Sequence, residues 1–243
     1  MGTRLYSVVI DCHDHAAQAR WWAETLGWTV VDCDADDAAV EPAGRPETDI
    51  ALVFVPVPEA KSGKNQIHLD LASVTAADQD EIVERLVARG AQRADIGQAD
   101  VSWVVLTDPE GNEFCVLAPD ARFDEPGTLD AIVLDAVDPG RLAHFWAEAS
   151  GWQIHAESHL VATLFPPDGR PPALDLVAVA DPTTGKNRVH LDVAPHIGDD
   201  RDAEVSRLRR LGAQPADVGQ GDDVTWVVLT DPEGNEFCVL SPR

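Results

Sequence analysis

Apolar and polar positions change their rhythm several times along this chain, and the changes mark its elements. Val8 and Ile10 alternate with Ser7, Val9 and Asp11, the period of a half-buried strand. Ala19, Trp22, Ala23 and Leu26 then recur at helical spacing, which predicts a helix over 16–26, with Gly27 where a helix stop belongs. Strands are predicted at 28–31 and 50–55. The sequence then repeats itself in kind: a strand at 66–71, a helix over 77–89 closed by Gly90, and strands at 102–107 and 113–117. Strand–helix–strands therefore occurs twice in the first half.

The second half is a copy of the first. "SVVIDCHDHAAQARWWAETLGW" (7–28) returns as "AIVLDAVDPGRLAHFWAEASGW" (131–152), and "GKNQIHLDL" (63–71) returns as "GKNRVHLDV" (185–193). "WVVLTDPEGNEFCVL" (103–117) returns unchanged at 226–240. Such a period is far too long for a solenoid, so each copy is a domain-sized unit and the chain holds four modules. The predicted division is 1–118, a linker over 119–128 rich in Pro and Gly, and 129–243. Within the unchanged segment, "TDPEGNE" joins two strands, with Pro109 early in a tight turn and Gly111 at its positive-φ position. A well-formed hairpin explains Asp108 to Asn112 without any chemistry.

The strand at 66–71 has two unlike faces. Ile67, Leu69 and Leu71 point one way, and Gln66, His68 and Asp70 the other. The copy repeats this with Val189, Leu191 and Val193 against Arg188, His190 and Asp192. The apolar face must cover helices, which turns a histidine toward the opposite side, as a sheet around a ligand cavity requires.

Composition narrows the partners. The net charge of -25 repels phosphate backbones and anionic membranes, so nucleic acid and membrane partners are not expected, and the scattered acids act as solubilising surface. The stretch MGTRLYSVVIDC lacks a charged region followed by a long apolar run, so no secretory signal is expected, and no apolar run approaches a membrane helix. The four cysteines form no disulfide framework, because Cys115 and Cys238 are copies of one position; a reducing cytoplasm is expected.

An "LGW" closing the first helix ("SGW" in the second copy), an "HLD" strand opening the next module and a D-P-x-G hairpin near the end, in that order in both copies, resemble the vicinal oxygen chelate superfamily. Its members include glyoxalase I, extradiol dioxygenases and bleomycin-resistance proteins. The resemblance covers nearly the whole chain. It implies an α+β fold of four βαβββ modules, paired into two glyoxalase-like domains whose curved, mixed and mostly antiparallel sheets form cups.

Metal-binding members place ligands on the cup side of the first and last strands of their modules. By that pattern His68 and His190 match a metal-ligand histidine, Ser7 and Ala131 fall where a first His or Gln belongs, and Cys115 and Cys238 fall where a terminal Glu belongs. The third-strand position offers no acid around 53–55, and only Asp175 in the second copy. The family's His/Glu set is incomplete.

One His and one Cys per copy then face the same cavity, and three readings compete. His68 is a neutral pocket residue and Cys115 a small buried hydrophobe. Alternatively His68 and Cys115, with Asp70 a candidate third ligand, hold a soft divalent metal such as zinc. In the last reading Cys115 is a thiolate nucleophile with His68 as its base. Trp22 and Trp146 belong to the core stripe of their helices, whereas Trp103 and Trp226 are placed equally well in core or pocket. His13, His15, His144, His155, His159 and His196 have no counterpart in the other copy and are expected on the surface.

The chain is accordingly read as a cytoplasmic binder of an organic small molecule, a drug or metabolite, through His68, Asp70, Trp103 and Cys115 and through His190, Asp192, Trp226 and Cys238. It is expected to lack a complete catalytic metal site, with zinc, iron or nickel as the metals to consider and His68 and His190 as the candidate ligands. The rival is a metal-dependent lyase, isomerase or dioxygenase of the same superfamily. The duplication fits a monomer acting as an internal pseudo-dimer, or a homodimer.

Overall fold

A computed structural model describes residues 2–43, 50–98, 100–119, 127–180, 186–221 and 224–243. The first module comprises β1 (Thr3–Cys12), α1 (His15–Leu26), β2 (Thr29–Cys33), β3 (Ala38–Glu41) and β4 (Ala51–Pro56). The second comprises β5 (Ile67–Leu71), α2 (Ala76–Ala88), β6 (Gln92–Arg93), β7 (Val104–Thr107) and β8 (Glu113–Val116). In the second copy, β9 (Leu129–Ala136), α3 (Pro139–Ser150), β10 (Gln153–Glu157), β11 (Val161–Phe165) and β12 (Ala173–Ala178) form the third module. β13 (Val189–Pro195), α4 (Arg201–Arg210), β14 (Gln214–Pro215), β15 (Val227–Thr230) and β16 (Glu236–Val239) form the fourth. The α+β class and the βαβββ module are as expected. The predicted linker lies largely outside the described residues.

Local chemistry sets the helix ends. Asp14 caps α1 by accepting from Ala17 N at 2.9 Å, and Gly27 ends it at φ 69°, where a side chain would be strained. Thr75 and Asp78 form a reciprocal capping box on α2. Asp138 caps α3 with Pro139 in its first turn, which suits a residue without an amide donor.

The strands form two open eight-stranded sheets, ordered β14-β15-β16-β13-β1-β4-β3-β2 and β10-β11-β12-β9-β5-β8-β7-β6. The first sheet therefore joins module one to module four, and the second joins module three to module two. The seams are antiparallel: Val9 lies opposite His190 across β1 and β13, and His68 opposite Val133 across β5 and β9. Among the described residues, only the β1–β4, β9–β12, β5–β8 and β13–β16 pairings are parallel. Each copy thus gives one module to each sheet.

Ion pairs from the repeated "GKN" cross these seams. Lys64 Nζ meets Asp135 Oδ2 of β9 at 2.5 Å, and Lys186 Nζ meets Asp11 Oδ2 of β1 at 2.6 Å. Both carboxylates are about nine-tenths buried, which makes these pairs stronger than exposed ones.

One contiguous apolar core takes residues from all four helices and one face of both sheets, including Ile67, Leu69, Leu71, Val189, Leu191 and Val193. Trp22 packs edge-on against Phe114 at 5.3 Å and Trp146 against Phe237 at 5.4 Å, so the helix of each copy's first module is tied to the last strand of its second. Some short elements differ from the sequence reading. β3 and β6 carry too little pattern to be seen locally and exist through pairing with their neighbours. The strand expected from 102 starts at Val104, which leaves Trp103 outside the ladder.

Candidate functional site

Alternation along β5 and β13 sends His68, Asp70, His190 and Asp192 to the face opposite the core. Parallel pairing then sets Cys115 of β8 beside Asp70, and Cys238 of β16 beside Asp192. The result is one cluster per sheet, His68–Asp70–Cys115 and His190–Asp192–Cys238, with ligand-capable atoms all within 4.8 Å of one another. Nε2 of His68 stands 3.3 Å from Asp70 Oδ1, and the corresponding separation in the other cluster is 3.5 Å.

The electrostatics of both clusters follow from burial. Cys115 is 5% exposed, and burial together with the neighbouring Asp70 carboxylate pushes its thiol well above the ordinary range. Burial and Asp192 likewise raise Cys238, against the pull of His190. Burial disfavours the imidazolium of His190, but Asp192 and Cys238 outweigh it and raise its pKa. Oδ1 of Asp70 and Oδ1 of Asp192 are enclosed, and each faces the histidine of its own cluster, so the buried carboxylate is balanced within the cluster.

The remaining walls of the two clusters differ. Opposite Asp192 lies Ser7, whose hydroxyl donates to Asp192 Oδ2 at 3.0 Å; opposite Asp70 lies Ala131, which has nothing to donate. One strand further on, Val53 pairs with Val9, while Asp175 pairs with Val133 and accepts from Thr163 Oγ1 at 2.7 Å. At the edge of the second sheet, Thr163, Phe165 and His155 line an open cleft of about 640 Å³. The His155 ring stands edge-on to Phe165 at 5.1 Å, so His155 is exposed as expected yet forms part of a wall. Along the pairing register, Thr163, Asp175, Val133 and His68 lie side by side on one face.

Trp103 and Trp226 lie outside the core and are 41% and 39% exposed, so neither is a core residue. Trp152 is buried in the core and Trp28 packs against it. The turn residues Asp108 and Asp231 are 1% and 2% exposed. Asp108 takes hydrogen bonds from Gln18 Nε2 at 2.7 Å and Trp22 Nε1 at 3.2 Å of α1, and Asp231 takes one from Trp146 Nε1 of α3 at 3.1 Å. The next acid, Glu110, accepts from the amides of His13 and Asp14 at the start of α1. The repeated hairpin is therefore a staple between the two modules of its own copy, a role invisible in the turn sequence alone.

Two open mixed sheets, each built from two βαβββ modules with a His–x–Asp strand at its centre, define a glyoxalase-like protein. The chain belongs to this family: the glyoxalase-like domain profile matches residues 7–117 and again 131–240. Among solved structures, glyoxalase I from Zea mays superimposes with a TM-score of 0.66 at 15% identity, over 99% of this chain and 92% of that one. A putative dioxygenase from Bacillus subtilis does so with a TM-score of 0.63 at 12% identity, over 98% and 84%. These likenesses concern the fold. No curated protein matches the sequence.

The ligand set implied by the superfamily resemblance does not fit either sheet. Ser7 is engaged with Asp192, Ala131 and Val53 have no donor atom, and Asp175 is not among the clustered groups. The His–Asp–Cys sets do offer donors suited to a borderline cation, because imidazole and thiolate favour zinc-like ions over magnesium or calcium.

Proposed function

We propose that the chain binds an organic small molecule on the polar faces of its two sheets and does not run the glyoxalase I reaction. The observation that carries this reading is the wall of the second sheet. An open cleft is lined by Phe165, His155 and Thr163, and the pairing register continues the same sheet face from Thr163 through Asp175 and Val133 to His68. Mostly apolar surface with a few convergent polar groups is the usual make-up of a small-molecule site. Next to the cleft, Val133, Ala131 and Ala173 form a small apolar cluster with Phe165 and Val177 packed against it. The absence of family-type ligands at 7, 53 and 131 argues against a hard-metal isomerase centre. The family's antibiotic-binding branch is the nearest functional analogy. The chemistry favours a ligand with an aromatic or aliphatic body, for Phe165, and a hydrogen-bonding group, for Thr163 and Asp175.

The first sheet differs where it would touch a ligand. Ala39, Val53 and Glu41 stand at the positions of Thr163, Asp175 and Phe165. The two faces therefore take different ligands, or one face serves to complete the fold. A lyase, isomerase or dioxygenase is the second reading, favoured by the two buried His–Asp–Cys clusters.

Saturation-transfer NMR with a library of aromatic fragments tests the binding reading. Fragments should bind the parent protein and lose most of their signal in Phe165→Ala. No binding at all, or hits indifferent to Phe165→Ala, would overturn it.

A further inference from the structure

We propose that the cavity between the two "GKN" segments is a second binding site, one that takes the carboxylate of a small organic acid. It lies apart from the cleft of the second sheet: among the described residues the two share no lining residue, and no member of either His–Asp–Cys cluster borders it.

Positive charge is concentrated here. Lys61, Lys64 and Lys186 are all the lysines of a chain whose net charge is -25, and all three line this cavity of about 270 Å³ together with Arg188. The cavity lies where β1 ends and where the chain enters β5 and β13, so both copies of the repeat build it. Four cations on its walls face two carboxylates, Asp11 and Glu59. The acids that pair with the other cations, Glu113 with Lys61, Asp135 with Lys64 and Glu110 with Arg188, are not among the lining residues. The walls are thus locally positive on an acidic protein, whose distant charges are screened beyond about 8 Å at physiological salt.

Two buried donors in the wall point to an acceptor. Asn187 is 7% exposed and the Arg188 side chain 10%, and among the described residues neither Asn187 Nδ2 nor Arg188 Nε makes a hydrogen bond. The rest of the guanidinium is engaged. Its Nη1 donates to the Glu59 carbonyl at 2.9 Å and its Nη2 to Glu110 Oε2 at 3.2 Å, which holds the side chain in place with Nε left over. In the first copy the same asparagine is satisfied: Asn65 Nδ2 donates to Asn112 Oδ1 at 3.1 Å, and Gln66 stands in place of Arg188. The motif can therefore close on itself, and the second copy leaves it open. Buried donors without partners are rare and costly, and an acceptor entering the cavity would satisfy both.

Donor chemistry fixes the head group of the ligand. An ammonium carries three donors, and the Asp135 and Asp11 pairs take one each from Lys64 and Lys186, so charged donors border the same space as the two unpartnered ones. A carboxylate offers about four acceptor sites, enough for both ammonium groups and both buried donors. Its bonds to Lys and Arg are charge-assisted, a gain that a neutral carbonyl forgoes in part. A phosphate dianion doubles the repulsion from Asp11 and Glu59. Val57 and Ala60 add apolar wall for a short aliphatic body. The volume falls just below the span of about 300–1,000 Å³ usual for drug-sized ligands, so the acid is a small one.

The test titrates the full chain, isotope-labelled for proton–nitrogen correlation NMR, with butyrate as the probe. The spectra read the Arg188 Nε–H and the Asn187 side-chain amide directly. Butyrate should shift both signals saturably. Butyramide, of the same shape and without charge, should bind about tenfold or more weakly. Arg188→Gln installs the residue that the first copy carries at this position, so it should fold, as circular dichroism checks, and should weaken butyrate binding by about tenfold or more. Phe165→Ala should leave butyrate binding unchanged. Signals that ignore butyrate, respond equally to butyramide or shift as strongly with inorganic phosphate overturn the proposal. So does butyrate binding that Arg188→Gln retains or Phe165→Ala abolishes. The spectra of the parent protein decide even if the variant does not fold. Aromatic fragments at the cleft are a separate readout, so this site and the ligand-binding reading of the second sheet can fail independently.

Discussion

Replacing Asp108 with Asn removes no volume and yet should destabilise the whole fold. Five donors converge on this carboxylate. The amides of Glu110 and Asn112 reach Oδ1 at 2.9 Å each, while Gln18 Nε2, Asn112 Nδ2 and Trp22 Nε1 reach Oδ2 at 2.7, 3.0 and 3.2 Å. An asparagine offers one carbonyl oxygen and one NH2, so whichever way it turns, at least two donors face another donor. A buried donor left unsatisfied costs about 1–3 kcal/mol, and partial relaxation holds the total for Asp108→Asn to about 2–3 kcal/mol. Asp108→Ala frees all five donors and should cost more, about 3–5 kcal/mol, since each buried donor left unsatisfied costs about 1–3 kcal/mol before relaxation. Against a typical total of about 5–15 kcal/mol, the alanine variant sits near unfolding, which makes asparagine the practical substitution. Asp231 supplies an internal comparison. Leu142 occupies the place of Gln18 in its copy, and Asp231 takes four hydrogen bonds, so Asp231→Asn should cost less than Asp108→Asn. Urea unfolding followed by circular dichroism should show lower midpoints at unchanged slope. An Asp108→Asn protein within about 0.5 kcal/mol of the parent, the range of ordinary surface substitutions, would refute the staple.

Thiol chemistry and chain cutting test two further features. In chelator-treated native protein at neutral pH, Ellman's reagent should find one fast thiol, the exposed Cys33. Burial pushes Cys12 up to about 12 and raises Cys115 and Cys238 as well, so these three should react only after denaturation; a second fast native thiol would contradict their burial. Residues 1–118 and 129–243 made as separate chains should not yield stable folded monomers, because each leaves β1 and β5, or β9 and β13, without a seam partner. Mixing them should restore the parent's circular dichroism and melting profile, and a cooperatively melting monomeric half, seen by size-exclusion chromatography, would refute this.

Much of the fold was legible because its signals are local. The period-2 pattern of β5 places Ile67, Leu69 and Leu71 opposite His68 and Asp70 in any sheet, and the structure puts those three apolar residues in the core. Helix limits followed from Gly27 and the apolar stripe of α1, since capping and amphipathicity act within a few residues. β3, which follows the acidic stretch 34–37, and the two-residue β6 were not legible, because their strand character comes from pairing with neighbouring strands. Nor could alternation place Trp103, which lies just outside the ladder and stays substantially exposed.

The sequence by itself determined the four modules, the polar face of each central strand and a repeated His, Asp and Cys at matching positions of the two copies. Only the tertiary structure decided which modules share a sheet. β1 needs an antiparallel neighbour, and "IHLDL" and "VHLDV" offer it nearly the same edge and the same alternation, so local energetics do not choose between them. The choice falls to long-range terms such as the hairpin staples that hold each copy's modules together across the two sheets, whereas the ion pairs Lys64–Asp135 and Lys186–Asp11 close either seam alike, because both copies carry the lysine and the aspartate. The candidate site has the same origin. Asp70 and Cys115 lie far apart in the chain and become neighbours only because β5 and β8 pair in parallel in one register, where a slip of one residue would turn the thiol into the core.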